Sequence, residues 1–296
     1  MYEKYFGFKK KPFSLTPDPE FFFISDDHYE ALEHLIYGIS EGEGFMLLVG
    51  GIGTGKTTLS RVLVERLSDT IIYSLILNPF QNFNDLLKNI LWDFGIIPES
   101  NDINDLRNQL IEFLLNEVAP NGKTALIIID ESQNLSNDVL EQLRVISNIE
   151  TDKEKLIQIL LLGQEELIVK LEAKELRQLK QRITIKYFLS PLKKKEVKKY
   201  IEHRINVAEP EKPIKFDLMA IREIYKFSKG IPRKLNMIAS RCLLGAFVKG
   251  TTKIDYFIVK KALKSLYGEK IDIVKKYEKK EEIDMIIEKL PEEEKL

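Results

Sequence analysis

Paired cysteine is missing from this 296-residue chain: Cys242 stands alone, so no intrachain disulfide framework can form. With only three scattered histidines besides, His28, His34 and His203, there is no set with structural-zinc spacing. A reducing, cytoplasmic setting fits that cysteine usage. An excess of one charge is missing too. Lys and Arg number 45 against 46 Asp and Glu, so the chain as a whole favours neither nucleic acid, nor membrane, nor acidic substrates as partner. Long hydrophobic runs are absent: the stretches around Phe45–Val49, Leu126–Ile129 and Ile159–Leu162 fall far short of the roughly 20 residues that cross a bilayer. No transmembrane segment is expected, and any membrane contact should be peripheral. The start, Met1-Tyr-Glu-Lys-Tyr-Phe6, lacks the basic-then-apolar pattern of a cleaved secretory leader.

What is present suffices for a packed core, since 44% of residues are apolar, and the length suits one large domain or two ordinary ones. Three prolines between Lys10 and Pro19 predict an extended arm over residues 1–26 that packs on the core. Asp27 followed by Glu30 has capping-box spacing, and Ala31, Leu32, Leu35, Ile36 and Ile39 repeat at helical intervals, which predicts a helix over Asp27–Ser40. Apolar strand candidates follow at Phe45–Val49, Ile71–Leu77, Thr124–Ile129, Leu156–Leu162 and Ile183–Leu189 with helical segments between them. That alternation implies an α/β domain over residues 27–190: a parallel five-stranded sheet between two helical layers. Beyond Pro191 the pattern is helical throughout, predicting a small all-helical domain over 191–267, and 268–296 read as a charged tail.

Gly50-Gly51-Ile52-Gly53-Thr54-Gly55-Lys56-Thr57 matches G-x-x-x-x-G-K-[ST] in full, between a strand and a helix. Glycines let the backbone curl until its N–H groups face phosphate oxygens. Lys56 supplies charge to the outer phosphates, Thr57 a hydroxyl to Mg2+, and the helix begun by Lys56, Thr57 and Thr58 its positive end. Leu126-Ile-Ile-Ile-Asp130-Glu131 is an apolar strand that delivers two carboxylates to its carboxyl end. Asp130 is expected to hold the metal and Glu131 to orient or deprotonate an attacking water. Together they predict ATP hydrolysis to ADP and phosphate with Mg2+; a strand ending in two solvated acids is the plainer alternative for the pair.

Further motifs lie far from this loop: Tyr5-Phe-Gly-Phe8, Pro12-Phe-Ser-Leu-Thr-Pro-Asp-Pro19, Phe21–Phe23, Ser25 and His28, Asp130-Glu-Ser-Gln-Asn-Leu135, Leu162-Gly-Gln164, Gln178-Leu-Lys-Gln-Arg182 and Gly230-Ile-Pro-Arg233. As a set they resemble the bacterial AAA+ ATPases of the general secretion pathway protein A type and the similar ATPases of exosortase and exopolysaccharide loci, from about Tyr2 to Leu266. The resemblance implies a P-loop AAA+ core followed by a helical lid. It implies sensor 1 at Gln164, whose alternative is a helix-capping glutamine. It implies an arginine finger offered to a neighbouring subunit at Arg182, with Arg177 as rival, and sensor 2 at Arg233, whose alternative is an exposed first-turn arginine. The N-terminal aromatics are expected either along the nucleotide edge or in the core. Ser132 and Gly51 depart from the family's usual alanine and glutamate without removing a ligand. Secretion-pathway members usually continue into a membrane span and a periplasmic domain, so the chain is expected to be either a stand-alone member or a cytosolic portion.

Between Lys174 and Arg204 eleven Lys and Arg stand against three Asp and Glu. A subunit interface, a track for duplex DNA and a solvated helix face each account for that concentration. The leading expectation is an ATP-dependent homo-oligomer acting on a membrane-associated secretion, pilus or exopolysaccharide export machine. A DNA-dependent ATPase of the transposition-helper or replication-initiator kind is the alternative, and a non-hydrolysing nucleotide-gated scaffold a third.

Overall fold

A computed structural model of the chain describes residues 1–79, 82–150 and 155–268, so all but the first residue of the expected charged tail lies outside the described residues. Contacts divide the chain into two units. One is Thr16–Glu196 with Ile231–Arg233; the other is Met1–Leu15, Val197–Gly230 and, among the described residues, 234–268. The chain opens on a short helix, α1 (Tyr2–Phe6), which belongs to the second unit.

The first unit is an α/β layer structure. Its elements run α2 (Asp26–Ser40), β1 (Phe45–Gly50), α3 (Lys56–Glu65), β2 (Ile71–Ile76), α4 (Phe83–Asp93), α5 (Ile103–Phe113), β3 (Thr124–Ile129), α6 (Asn137–Ile146), β4 (Ile157–Gly163), α7 (Glu165–Leu171), α8 (Arg177–Arg182) and β5 (Ile183–Leu189). The five strands form one parallel sheet in the order β2-β3-β4-β1-β5. Leaving β1, the chain goes out to the edge at β2 and returns through β3 and β4. The carboxyl ends of β1 and β3 therefore flank that of β4, although 73 residues separate Thr57 from Asp130.

Burial on both faces explains why the inner strands read as continuous apolar runs: all of β1 and β4 and nearly all of β3 are buried. Alternate residues serve opposite layers. Met46, Leu48, Leu126, Ile128, Leu160 and Leu162 pack with Leu32 and Leu35 of α2 and Leu59 and Leu63 of α3. Phe45, Leu47, Ile127, Ile129, Ile159 and Leu161 face α4 to α8 through Leu86, Ile90, Leu106, Leu140, Leu143, Leu167 and Leu179. The edge strand β2 has a half-exposed pattern, and the carboxylate of Asp93, at the end of α4, accepts hydrogen bonds from the Ser74 hydroxyl at 2.7 Å and the Leu75 N–H at 3.2 Å.

One expected helix start moves. Ser25 is the N-cap of α2 and its hydroxyl accepts from the His28 N–H at 3.2 Å, so Asp27 lies inside the first turn. Asp27 is taken up elsewhere: its carboxylate accepts from the Tyr187 hydroxyl at 3.2 Å and the Ser190 N–H at 2.7 Å, both at the end of β5.

The second unit takes most of α9 (Lys194–Val207), then β6 (Lys215–Phe216), α10 (Leu218–Ser228), most of α11 (Pro232–Val248), β7 (Lys253–Ile254) and α12 (Tyr256–Tyr267). Among the described residues it departs from an all-helical pattern where β6 and β7 pair in parallel over two residues each. The N-terminal arm is shared out rather than laid on one domain. Up to Leu15 it groups with this unit: the Lys9 N–H donates to Ala208 O at 3.0 Å, and Tyr5 packs edge-on to Phe247 with ring centroids 5.4 Å apart. Tyr5 and Phe6 are thus packing residues. Arg204, only 7% exposed, straps the arm to α9 by donating from Nε to Pro12 O at 2.7 Å and from Nη2 to Ser14 O at 3.5 Å. Removing that guanidinium takes the 2.7 Å donor from the buried Pro12 carbonyl, so Arg204→Ala is expected to cost about 1–3 kcal/mol of stability, seen as a lower melting temperature. Among the described residues no helix is long and apolar enough to cross a membrane.

Candidate active site

The loop between β1 and α3 turns on two glycines in backbone conformations that a side chain resists. Gly53 has φ 78°, and a Cβ there would lie 2.6 Å from the Cβ of Arg233; Gly55 has φ 110° and a Cβ would lie 3.0 Å from His28 Nε2. Lys56 is 6% exposed and its ammonium donates to Gly50 O at 2.8 Å and Gly51 O at 3.3 Å, so the loop closes on its own lysine. Burial pushes the Lys56 pKa down, and the nearby carboxylates Asp130, Glu131 and Glu166 oppose that shift. Ile52 at the tip is exposed, Thr54 is buried with its hydroxyl on Gly51 O at 2.9 Å, and Thr57 and Thr58 occupy the first turn of α3.

β3 delivers Asp130 buried, at 2% exposure, with its N–H on Ile76 O at 2.8 Å. The Thr57 hydroxyl donates to Asp130 Oδ2, and the Glu131 N–H donates to Oδ1 at 2.8 Å. Burial pushes the Asp130 carboxyl above its usual range, partly offset by these two bonds. Glu131 takes a left-handed conformation, φ 51°, which turns the chain into the short 3-10 segment Ser132–Asn134. Its Oε2 accepts from Gln133 Nε2 and, at 3.0 Å, from Gln164 Nε2.

Gln164 occupies the N-cap position of α7, but its side chain makes no cap bond and goes to Glu131 instead. The Arg233 N–H donates to Gly53 O at 3.2 Å in the first turn of α11, with its side chain exposed. Arg182 lies at the end of α8, its Nη1 donating to Arg144 O at 3.4 Å, Ser147 Oγ at 3.3 Å and Asn148 Oδ1 beyond the end of α6. Arg177 is exposed at the start of α8. The structure thus brings Gly50–Thr58, Asp130, Glu131 and Gln164 together, sets Arg233 against the loop, and holds Arg182 at α6.

Sequence reasoning assigned no role to His28. It is 2% exposed; Nε2 lies 3.1 Å from Thr54 O, and Nδ1 lies 2.6 Å from Ser25 Oγ. A carbonyl can only accept, so Nε2 carries the proton and Nδ1 takes the Ser25 hydroxyl. Phe22 packs edge-on against the ring with centroids 5.0 Å apart. The second half of the arm therefore braces the loop from behind. The available signal was a polar residue on an otherwise apolar helix face. Replacing His28 by alanine is expected to weaken ATP binding about 5-fold, the equivalent of one neutral hydrogen bond, measured by calorimetry.

Burial also lowers the His28 pKa below the ordinary imidazole value of 6.5, against the pull of the loop carbonyl and of Asp27 and Glu196. The unfolded chain then binds the extra proton first. The stability His28 contributes is intact above about pH 6.5 and falls as pH descends from there toward its lowered native value, a slope that His28→Ala should flatten in thermal melts.

A family model described as AAA domain matches residues 39–171, which include the loop and the acid pair. General secretion pathway protein A of Aeromonas hydrophila is 43% identical over 256 residues, 86% of this chain and 46% of that protein. The replication factor C small subunit of Staphylothermus marinus is 25% identical over 201 residues, 68% of this chain and 52% of that one. This chain thus spans about half the length of these relatives. Among solved structures, the Aeropyrum pernix ORC2 protein in ADPNP-ADP complexes superposes with TM-score 0.67 at 20% identity over 86% of this chain and 72% of that one. The Thermotoga maritima RuvB Holliday junction branch migration motor does so with TM-score 0.55 at 20% identity, over 82% and 69%. These two likenesses bear on the fold alone. Residues 39–171 thus match the AAA domain family, and over 86% of its length the chain is similar to general secretion pathway protein A.

Proposed function

We propose that this protein binds ATP with Mg2+ at Gly50–Thr57, hydrolyses it to ADP and phosphate, and thereby drives assembly or regulation of an envelope secretion, pilus or exopolysaccharide export system. The observation that supports the chemistry is the convergence of Lys56, Thr57, Asp130 and Glu131 at the carboxyl ends of β1 and β3. Loop N–H groups and Lys56 bind the phosphates, with Thr58 and Arg233 beside them. Glu131 accepts the proton of the attacking water and Gln164 holds its carboxylate.

The metal fits these residues. Asp130 is a buried carboxylate whose desolvation a divalent cation relieves, and the Thr57 hydroxyl lies against it. Phosphate oxygens and water would complete the shell around such an ion. When bound, Mg2+ supplies charge neutralisation on the phosphate oxygens.

As a finger, Arg182, with Arg177 as the rival, would act on a neighbouring copy in a homo-oligomer. In a single chain Arg182 is held at α6, so its use on a neighbour's triphosphate requires assembly. Mixing Arg182→Ala with Glu131→Gln, each inactive alone, should restore turnover through shared sites, and mixtures that never do so would remove the trans mechanism. The likeness to general secretion pathway protein A supports the envelope role. A DNA-dependent ATPase is the second reading, favoured by the exposed Lys193, Lys194, Lys195, Lys198 and Lys199 at and along α9. Turnover with and without duplex DNA separates the two: stimulation that fades with added salt would replace the envelope reading.

A further inference from the structure

We infer that Gln133 is a positioning residue for hydrolysis, fixing which oxygen of Glu131 meets the attacking water. The inference rests on the reading of Glu131 as the group that accepts the water's proton.

The geometry is over-determined. Gln133 Oε1 accepts the Gln164 N–H at 3.1 Å, so its NH2 must face the other way, and there it donates to Glu131 Oε2. The amide orientation is therefore set by the backbone at the end of β4 and needs no assumption about which atom is nitrogen. A Cβ added at Gly163 would lie 3.2 Å from that same Oε1, so the seat fits closely. The backbone of Gln133 is held as well: the Lys170 ammonium donates to Gln133 O at 2.5 Å and to Leu135 O at 2.6 Å.

The consequence falls on one atom. Gln133 and Gln164 both donate to Oε2 of Glu131, which leaves Oε1 as the oxygen that takes the proton. Glu131 itself sits in a left-handed backbone conformation that only its surroundings sustain: its N–H is on Asp130 Oδ1, its carbonyl accepts from the Asn134 N–H at 2.9 Å, and its side chain is on Gln133. A carboxylate with one donor removed can rotate away from the water without any loss of nucleotide contacts. Because Gln133 bridges Glu131 to the backbone of Gln164, a shift at the end of β4 also reaches the carboxylate through it.

The test uses the full chain with ATP and Mg2+. Gln133→Ala should lower kcat about 10- to 100-fold, the equivalent of one hydrogen bond to a charged group, with KM for ATP within about 3-fold of the parent. Gln133→Glu, of the same size but unable to donate, should lower kcat at least as far, and it decides the matter should the alanine variant not fold. A structural role would lower turnover in any background. Here, adding Gln133→Ala to Glu131→Gln should change the residual turnover by less than about 2-fold. Wild-type kcat in both Gln133 variants, or a further loss in the Glu131→Gln background, overturns the inference. Undiminished turnover in Glu131→Gln alone would instead bring down the reading of Glu131, which keeps the two failures apart.

Discussion

Replacing Lys56 by alanine should lower ATP affinity by about 100-fold or more while leaving the fold intact. Lys56 is almost fully buried, and its ammonium donates to two carbonyls of its own loop. Such a group is held in place against desolvation, which already pushes its pKa down. Phosphate oxygens offer it a stronger, charge-assisted partner, and two or more such bonds at about 1.5–3 kcal/mol each account for the loss. Arginine would not substitute, because a planar fork cannot enter a seat shaped for a point charge. Calorimetry with ATP and Mg2+ measures the effect, circular dichroism checks the fold, and undiminished affinity would overturn the nucleotide site.

Glu131→Gln is the second large effect, and its signature is opposite. Turnover should fall about 10²- to 10⁴-fold, the usual range for loss of a general base, with ATP affinity retained. The amide preserves the size of the side chain but can neither take the proton nor carry the charge that Gln133 and Gln164 address. Phosphate release under single-turnover conditions reads the difference. A parent protein that releases no more phosphate than this variant would be a nucleotide-gated scaffold rather than a hydrolase.

The chemistry was most legible where it depends on a short run of sequence. The loop Gly50–Thr57 declares itself by spacing, and β1, β3 and β4 by unbroken apolar runs, because burial on both faces leaves no room for alternation. Asp130 and Glu131 could be read as a pair because they end such a run. The link from Glu131 through Gln133 to the Gln164 backbone could not, since it joins two strand ends through residues 31 apart in sequence. His28 was hidden for another reason: on a helix face shared with Leu32 and Leu35 it looks like a satisfied core residue.

Local rules also met stronger competitors. Asp27 and Glu30 have capping-box spacing, yet Ser25 takes the cap because the end of β5 claims the Asp27 carboxylate. The prolines of the arm announced an extended segment, but not that its first fifteen residues would join one unit and the rest another. That division depends on distant partners such as Arg204 and Phe247, which no window around the arm contains.

The carboxylate of Asp93 has a consequence beyond its two hydrogen bonds. A border strand normally offers a row of free amides to any passing polypeptide, an invitation to run-on ribbons of protein. Along β2 the Leu75 amide is already answered by a negative charge, which a newcomer would have to displace and strip of its water. A second copy of this chain is thereby steered away from zippering through that margin.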